Sequence, residues 1–226
     1  MRRIFVFLAA LAVGAQAWAQ APIALPDGSV YKGTLKDGAF DGHGELEGPT
    51  YRYEGGFREG LKHGRGVYQW KDGDRYEGAF ADDRPEGRGE FRFANGDRYV
   101  GSVRAGEMEG YGTYTARNGD VYEGRFVKGK PQGIGSYRFA NGDSYEGEVT
   151  AGKVTGHGRY RQRSGEVTEG DFVEGRASGR GTIRFPGGDH YEGELRMGVP
   201  DGHGILRFAD GSRYEGPFRE GRPASE

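Results

Sequence analysis

The chain has no cysteine, only two tryptophans and three methionines among 226 residues, and no long aliphatic run beyond its first twenty positions. Without cysteine there is no disulfide, no thiolate nucleophile, no thiolate metal site and no lipid attachment of the lipoprotein kind. Only 34% of the residues are hydrophobic, which argues against a deep globular core. Charge of one sign is missing too. The 32 basic residues face 34 acidic ones, and the two kinds are interspersed as on a solvated surface. Such a balance exerts no long-range pull on nucleic acid or anionic lipid, so no nucleic-acid partner is expected.

What the chain has instead is glycine, 45 residues of it, and 13% aromatic residues, mostly Tyr and Phe. Glycine is about three times as frequent as usual. That pairing suits either a disordered chain or a repetitive β architecture, and the spacing of the markers decides for the second.

The first residues stand apart. Arg2 and Arg3 precede an apolar run, Ile4 to Val13, and Ala17-Trp18-Ala19 follows. This is the pattern of a secretory signal peptide. Ten apolar residues are too few to span a bilayer, which needs about 20. Residues 1–19 are therefore expected to be cleaved, leaving a short lead at 20–25 and a chain exported to the periplasm or the extracellular space. Loss of Arg2 and Arg3 moves the formal charge from −2 to −4.

Tyr-x-Gly recurs at Tyr31, Tyr53, Tyr76, Tyr99, Tyr122, Tyr145, Tyr191 and Tyr214, in steps of 23 residues from Tyr53 to Tyr145. Thr168-Glu169-Gly170 fills the double step before Tyr191 as a degenerate copy, which makes nine units over about 26–222, with 223–226 as a tail. Gly-x-Gly runs in phase, from Gly42/Gly44 to Gly202/Gly204. Between the two markers lie Asp-Gly or Asn-Gly turns such as Asp72-Gly73, Asn95-Gly96 and Asn118-Gly119. These are strong hairpin signals.

Parity then fixes the loop length. A two-residue turn after Trp70 would set Tyr68 and Tyr76 on opposite faces. A three-residue loop pairs Trp70 with Asp74 and Tyr68 with Tyr76, with Gly73 in the left-handed position. The expectation is an all-β, elongated, single-layer antiparallel sheet of seventeen strands in stacked hairpins. One face is aromatic and glycine-rich, the other polar. Between hairpins, Ala81 to Glu86 and Lys128 to Gln132 are expected to be loops.

Tyr122-Glu123-Gly124-Arg125-Phe126, followed by Gly133-Ile134-Gly135-Ser136-Tyr137-Arg138-Phe139, resembles the MORN (membrane occupation and recognition nexus) repeat. The resemblance covers nearly all the chain after its leader. It implies hairpins stacked side by side, open terminal edges and self-association, so a homodimer through an end or the aromatic face is one expected partnership. Thr168 and Gln162 depart from the pattern and mark the seventh copy as a weak point or bend. Val100 and Val103 depart in the fourth.

No catalytic constellation, cofactor site or metal site is read from the chain. His43, His157 and His203 share a position held elsewhere by Arg65, Arg88, Tyr111, Ile134 and Arg180, which reads as surface. Glu54, Glu77, Glu123, Glu146, Glu192 and Glu215 recur with the repeat and are expected to pair across strands with Arg. Gly-x-Gly precedes no helix and is no phosphate loop. Four residues after the last repeat leave no room for the catalytic domains to which such arrays are fused elsewhere, so no enzymatic activity is expected. A contiguous aromatic strip has two readings: self-packing that holds one layer together, or a partner surface. The second nominates Tyr68, Trp70, Tyr76, Phe80, Phe91, Phe93, Tyr99, Tyr114, Tyr122, Phe126, Tyr137, Phe139, Tyr145, Tyr191 and Tyr214. The expected function is a non-enzymatic, protein-interaction scaffold with an unidentified protein partner. The alternatives are a peripheral phospholipid-binding module, weakened by the negative charge, and, last, a cell-wall glycan binder.

Overall fold

The computed structural model describes residues 21–224, so the leader assigned to 1–19 lies outside the described residues. Nineteen strands follow one another in an up-and-down antiparallel meander. The tyrosine-bearing strands are β2 (Val30–Lys36), β4 (Tyr51–Arg58), β6 (Arg75–Ala81), β8 (Arg98–Arg104), β10 (Val121–Val127), β12 (Ser144–Thr150), β14 (Val167–Val173), β16 (His190–Arg196) and β18 (Arg213–Arg219). The Gly-x-Gly strands between them are β3 (Ala39–Glu47), β5 (Leu61–Trp70), β7 (Arg84–Arg92), β9 (Glu107–Thr115), β11 (Lys130–Arg138), β13 (Lys153–Arg161), β15 (Arg176–Arg184) and β17 (Val199–Arg207). Those are the seventeen expected strands. Two-residue strands, β1 (Ile23–Ala24) and β19 (Arg222–Pro223), are added at the ends. The sheet does not close on itself, and at about 4.8 Å per strand it extends on the order of 80 Å.

The three-residue loops are as expected. Tyr68 faces Tyr76 and Gly66 faces Gly78. The Trp70 N–H donates to the Asp74 carbonyl and Gly73 sits at φ +104°. The connections between hairpins differ from the expectation. Ala81 to Glu86 is not a loop: Asp82 and Asp83, at φ +46° and +68°, make a two-residue turn and the strand resumes at Arg84. Lys128 and Gly129 do the same, with β11 starting at Lys130. Two consecutive left-handed residues match the right-handed strand twist, which outweighs the cost of about 1–2 kcal/mol for a side chain at positive φ.

Each repeat holds a bulge beyond this turn. Gly78 faces Gly89 and Phe80 faces Pro85, so three residues of β7 lie against Ala79 alone. Gly87, the first glycine of its pair, turns this corner at φ +83°. The second glycine has another task. A Cβ on Gly89 would lie 2.4 Å from the Tyr76 ring, and one on Gly78 would lie 2.4 Å from its hydroxyl. The ring therefore lies flat on two facing glycines. Its hydroxyl donates to the carbonyl of Ala79, inside the bulge. The same bond, from Tyr i to carbonyl i+3, is made by Tyr31, Tyr53, Tyr99, Tyr122, Tyr145, Tyr191 and Tyr214.

Phenylalanines link the seats. Phe80 stands edge-on to Tyr76 at 5.3 Å and to Tyr53 of the preceding repeat at 5.0 Å. Phe126 bridges Tyr122 and Tyr99 likewise, at 5.2 and 5.0 Å. Each such pair adds about 0.5–1.5 kcal/mol beyond area burial. The core is thus a relay of rings on one side of one sheet, with each repeat packed on its neighbours.

Candidate interaction surface

The aromatic side is largely used up by this packing. Of the fifteen nominated rings, Tyr76, Phe80, Phe91, Tyr99, Tyr122, Phe126, Tyr145 and Tyr191 are buried, each 8% exposed or less. Tyr68, Trp70, Phe93, Tyr114, Tyr137, Phe139 and Tyr214 are half-buried and pack against that core. Desolvation raises the hydroxyl pKa of Tyr76, Tyr99, Tyr145 and Tyr191 to about 12, so these groups remain neutral donors at any physiological pH. A further row escaped the sequence reading: Pro85, Met108, Pro131, Val154, Ala177 and Pro200 face Phe80, Val103, Phe126, Val149, Phe172 and Leu195 across the bulges. Lys62 holds this place opposite Phe57. Its amine pairs with Asp83 at 3.1 Å and lies 5.8–5.9 Å from the rings of Tyr51, Tyr53 and Tyr68.

The opposite face carries charge in rows that run across the strands. One row is acidic, with Glu45, Glu54, Glu77, Glu90, Glu123, Glu146, Glu169, Glu192 and Glu215 on successive strands or repeats. Glu45 directly faces Glu54, and Glu77 faces Glu90. Like charges so placed repel, and a flanking row of arginines offsets the repulsion. Arg75 reaches Glu77 at 2.8 Å, while Arg92 and Arg98 reach Glu90 at 2.6 and 2.8 Å. The hydrogen bond from Arg98 holds the Glu90 carboxyl below its usual range. The expectation of cross-strand pairing holds for Glu192, which Arg207 reaches at 3.5 Å from the next strand. Glu54, Glu77 and Glu215 instead pair along their own strands with Arg52, Arg75 and Arg213, because side chains two apart share a face.

Beyond the acidic row lies the backbone of the paired glycines, and beyond that the middle residues of Gly-x-Gly. The two rows form walls and the glycines a floor. Across β13 to β18 this makes an open cavity of about 510 Å³, with Glu169, Glu192 and Glu215 on one wall and His157, Arg180 and His203 on the other. The three His-or-Arg positions are exposed, as expected. Among the described residues no group of three or more His, Cys, Asp or Glu is placed to hold a metal ion.

The MORN repeat model matches residues 31–51, 53–75, 76–98, 99–121, 122–144, 145–167, 169–190 and 191–213. The chain belongs to the MORN repeat family. Its eight matched repeats end one short of the nine read from the sequence, since the last unit is β18 with only the two residues of β19 behind it. MORN arrays are consistent with interaction with proteins or membranes. No curated protein matches the chain. Among solved structures it is similar to the TCP domain of Drosophila melanogaster SAS-4 in complex with a proline-rich motif of Ana2. Identity there is 13%, over 91% of this chain and 95% of that one, with a TM-score of 0.40. It is also similar to the TCP10 domain of Danio rerio CPAP, at 14% identity over 88% and 100%, with the same TM-score.

The seventh MORN repeat departs from the others in a way the sequence only hinted at. From Asp74 onward along the three-residue loops, an Asp carboxylate accepts the N–H of the next loop, whereas the first loop's Lys71 N–H goes to the Thr50 carbonyl. Asp74 takes Ala94, Asp97 takes Arg117, Asp120 takes Ala140, Asp143 takes Arg163, and Asp189 takes Ala209. The one missing link falls where Glu166 replaces Asp and where Pro186, which has no N–H, replaces the donor. Thr168 also lacks the ring that elsewhere covers the glycines, and Leu195 fills the space: a Cβ on Gly181 would lie 2.7 Å from its Cδ1. Phe172 accordingly meets only one tyrosine, Tyr145, among the described ring pairs.

Proposed function

We propose that this MORN array is an exported, non-enzymatic scaffold that holds a partner polypeptide along its polar face. The supporting observation is the burial of the rings. With eight of the fifteen nominated aromatics sunk into the layer, a partner meets the rows of charge and the glycine-floored trough between them. The trough is open and shallow, which suits an extended chain better than an enclosed small molecule. Phospholipid headgroups are the weaker reading, because every basic row runs beside an acidic one. A homodimer through an end is a second form of partnership. It draws on β2 and β18, which are flanked on their outer sides by only two residues each, although Pro217 blunts β18 as an edge.

Photo-crosslinking in the producing cell tests the reading. A crosslinking residue at Thr182 or Ser136 of the polar face is expected to trap a discrete polypeptide, whereas one at Phe93 is not. Trapping only through Phe93, or sedimentation with neutral liposomes that is insensitive to salt, would overturn it. Export is checked by the N-terminus of the mature protein, expected at Gln20.

A further inference from the structure

The polar face is not uniform, and its N-terminal half carries arginines that enter no ion pair among the described residues. The middle residues of Gly-x-Gly and their neighbours across the strands form one continuous line. Arg65 faces Ala79, Arg88 faces Ser102, Tyr111 faces Arg125, and Ile134 faces Glu148. Ala79, Ser102 and Arg125 each sit in a bulge against the next strand, which closes the line from Arg65 to Ile134. Arg65, Arg88 and Arg125 are exposed and enter none of the ion pairs among the described residues. Of the nearby carboxylates, Glu77 is engaged with Arg75 and Glu90 with Arg92 and Arg98, while Glu123, two residues before Arg125 on the same face, enters none of these ion pairs and stands as its neighbour. The C-terminal half is different: His157 pairs with Asp171, Arg159 with Glu169, and Arg180 faces Glu194.

Two apolar side chains stand in the same line. Tyr111 and Ile134 are each 70% exposed, the most exposed large hydrophobics of the described residues. Around them Val100, Thr113 and Ser136 thin the acidic row, in which Glu123 remains between Thr113 and Ser136. Exposed Tyr and Arg in one patch are the residue types that anchor partners.

We infer that this line binds an acidic, extended peptide whose acidic residues recur at every third position and are followed by apolar ones. This rests on the scaffold reading above and gives its partner a chemistry. The period follows from geometry. Arg65, Arg88, Tyr111 and Ile134 each lie two strands apart, about 9.6 Å at 4.8 Å per strand. A polyproline-II segment advances about 9.3 Å in three residues and returns to the same side. A β-strand presents the third residue to the opposite side. Carboxylates at two successive steps meet Arg65 and Arg88, and apolar side chains at the next two meet Tyr111 and Ile134. An acid between those apolar residues falls to Arg125. A duplex or a bilayer, with negative charge on a broad surface, would also be pressed against the acidic row beside this line.

The test uses the full exported protein and a labelled peptide, Glu-Pro-Ala-Glu-Pro-Ala-Leu-Asp-Ala-Leu, in fluorescence anisotropy. Wild type is expected to bind it roughly tenfold more tightly than a peptide of the same composition with alternating acids. Raising salt from about 50 to 300 mM should weaken binding severalfold. Arg88→Glu and Tyr111→Ala should each weaken it roughly tenfold, and Arg219→Glu, exposed on β18 at the far end of the array, should not. Both replaced side chains are exposed, and an unchanged melting temperature shows that the fold is kept. Equal affinity for the two peptides, indifference to Arg88→Glu, or Arg88-dependent binding of anionic vesicles or an oligonucleotide in place of the peptide overturns the inference. Polar-face crosslinks in the cell alongside any of these results leave the scaffold standing and remove only the assigned partner chemistry.

Discussion

The two glycines of one Gly-x-Gly motif should differ sharply in what they tolerate. A Cβ on Gly66 would lie 2.5 Å from Cε2 and the hydroxyl of Tyr53, so the ring must lift by about 1 Å to regain van der Waals contact. Lifting it strains the 2.8 Å hydrogen bond to the Gly56 carbonyl and the edge contacts with Phe57 and Phe80 at 5.1 and 5.0 Å. Overpacking costs about 1–3 kcal/mol, and the weakened hydrogen bond and ring pairs add about 1 kcal/mol or more. Gly66→Ala is therefore expected to cost about 3 kcal/mol. Gly64, two residues earlier, has φ +76° and nothing within 4 Å of a built Cβ, so Gly64→Ala meets backbone strain alone, about 1 kcal/mol. Urea unfolding followed through Trp70, whose ring lies 4.5 Å from Tyr68 in the same repeat, reads both. In a Tyr53→Leu background the cost of Gly66→Ala should fall to about 1 kcal/mol. Equal costs for the two alanines, or a cost at Gly66 that ignores Tyr53, would refute the seat.

Two further outcomes follow from the same geometry. Glu166→Asp with Pro186→Ala should restore the missing link of the loop ladder and stabilise by about 1 kcal/mol more than the sum of the single changes; additivity in chemical melts would show that the link is not what the seventh repeat lacks. The raised hydroxyl pKa values of Tyr76, Tyr99, Tyr145 and Tyr191, near 12 against an ordinary 10, tie stability to alkaline pH. The folded form keeps protons that the unfolded chain loses, so this contribution is complete below pH 10 and is lost as pH rises from about 10 to 12. A melting temperature that stays flat across that window would contradict the burial of these hydroxyls.

Much of the fold is legible in the chain because its two signals are local. A 23-residue step and an Asn-Gly or Asp-Gly turn fix where hairpins lie, and parity across a three-residue loop fixes which rings share a side. What escapes is how those rings are held. A single layer suggests an exposed strip, yet a ring that lies flat on Gly66 or Gly89 and is walled by Phe on both sides is as buried as in a globular core. The choice of Tyr over Phe at eight of nine positions was a visible clue to the hydroxyl, but its partner is a carbonyl turned inward by a bulge that no periodicity reveals. The two-residue turns were missed because Asp82-Asp83 lacks the usual glycine, although Glu59-Gly60, Lys128-Gly129 and Met197-Gly198 recur in phase with it. The polar-face line was hidden for another reason. Arg65, Tyr111 and Ile134 are neighbours only by register, and the variety at that position read as indifference.

Hydroxyl-radical footprinting of the tyrosines tests most directly whether rings and polar residues are sorted to opposite sides of one layer. Tyr111, 70% exposed on the polar face, should react fast, while Tyr99 and Tyr122, on the strands to either side within the same span of chain and 0% and 2% exposed, should be protected until urea unfolds the array. Comparable labelling of all three in the native protein would contradict the arrangement of rings on which the whole account stands.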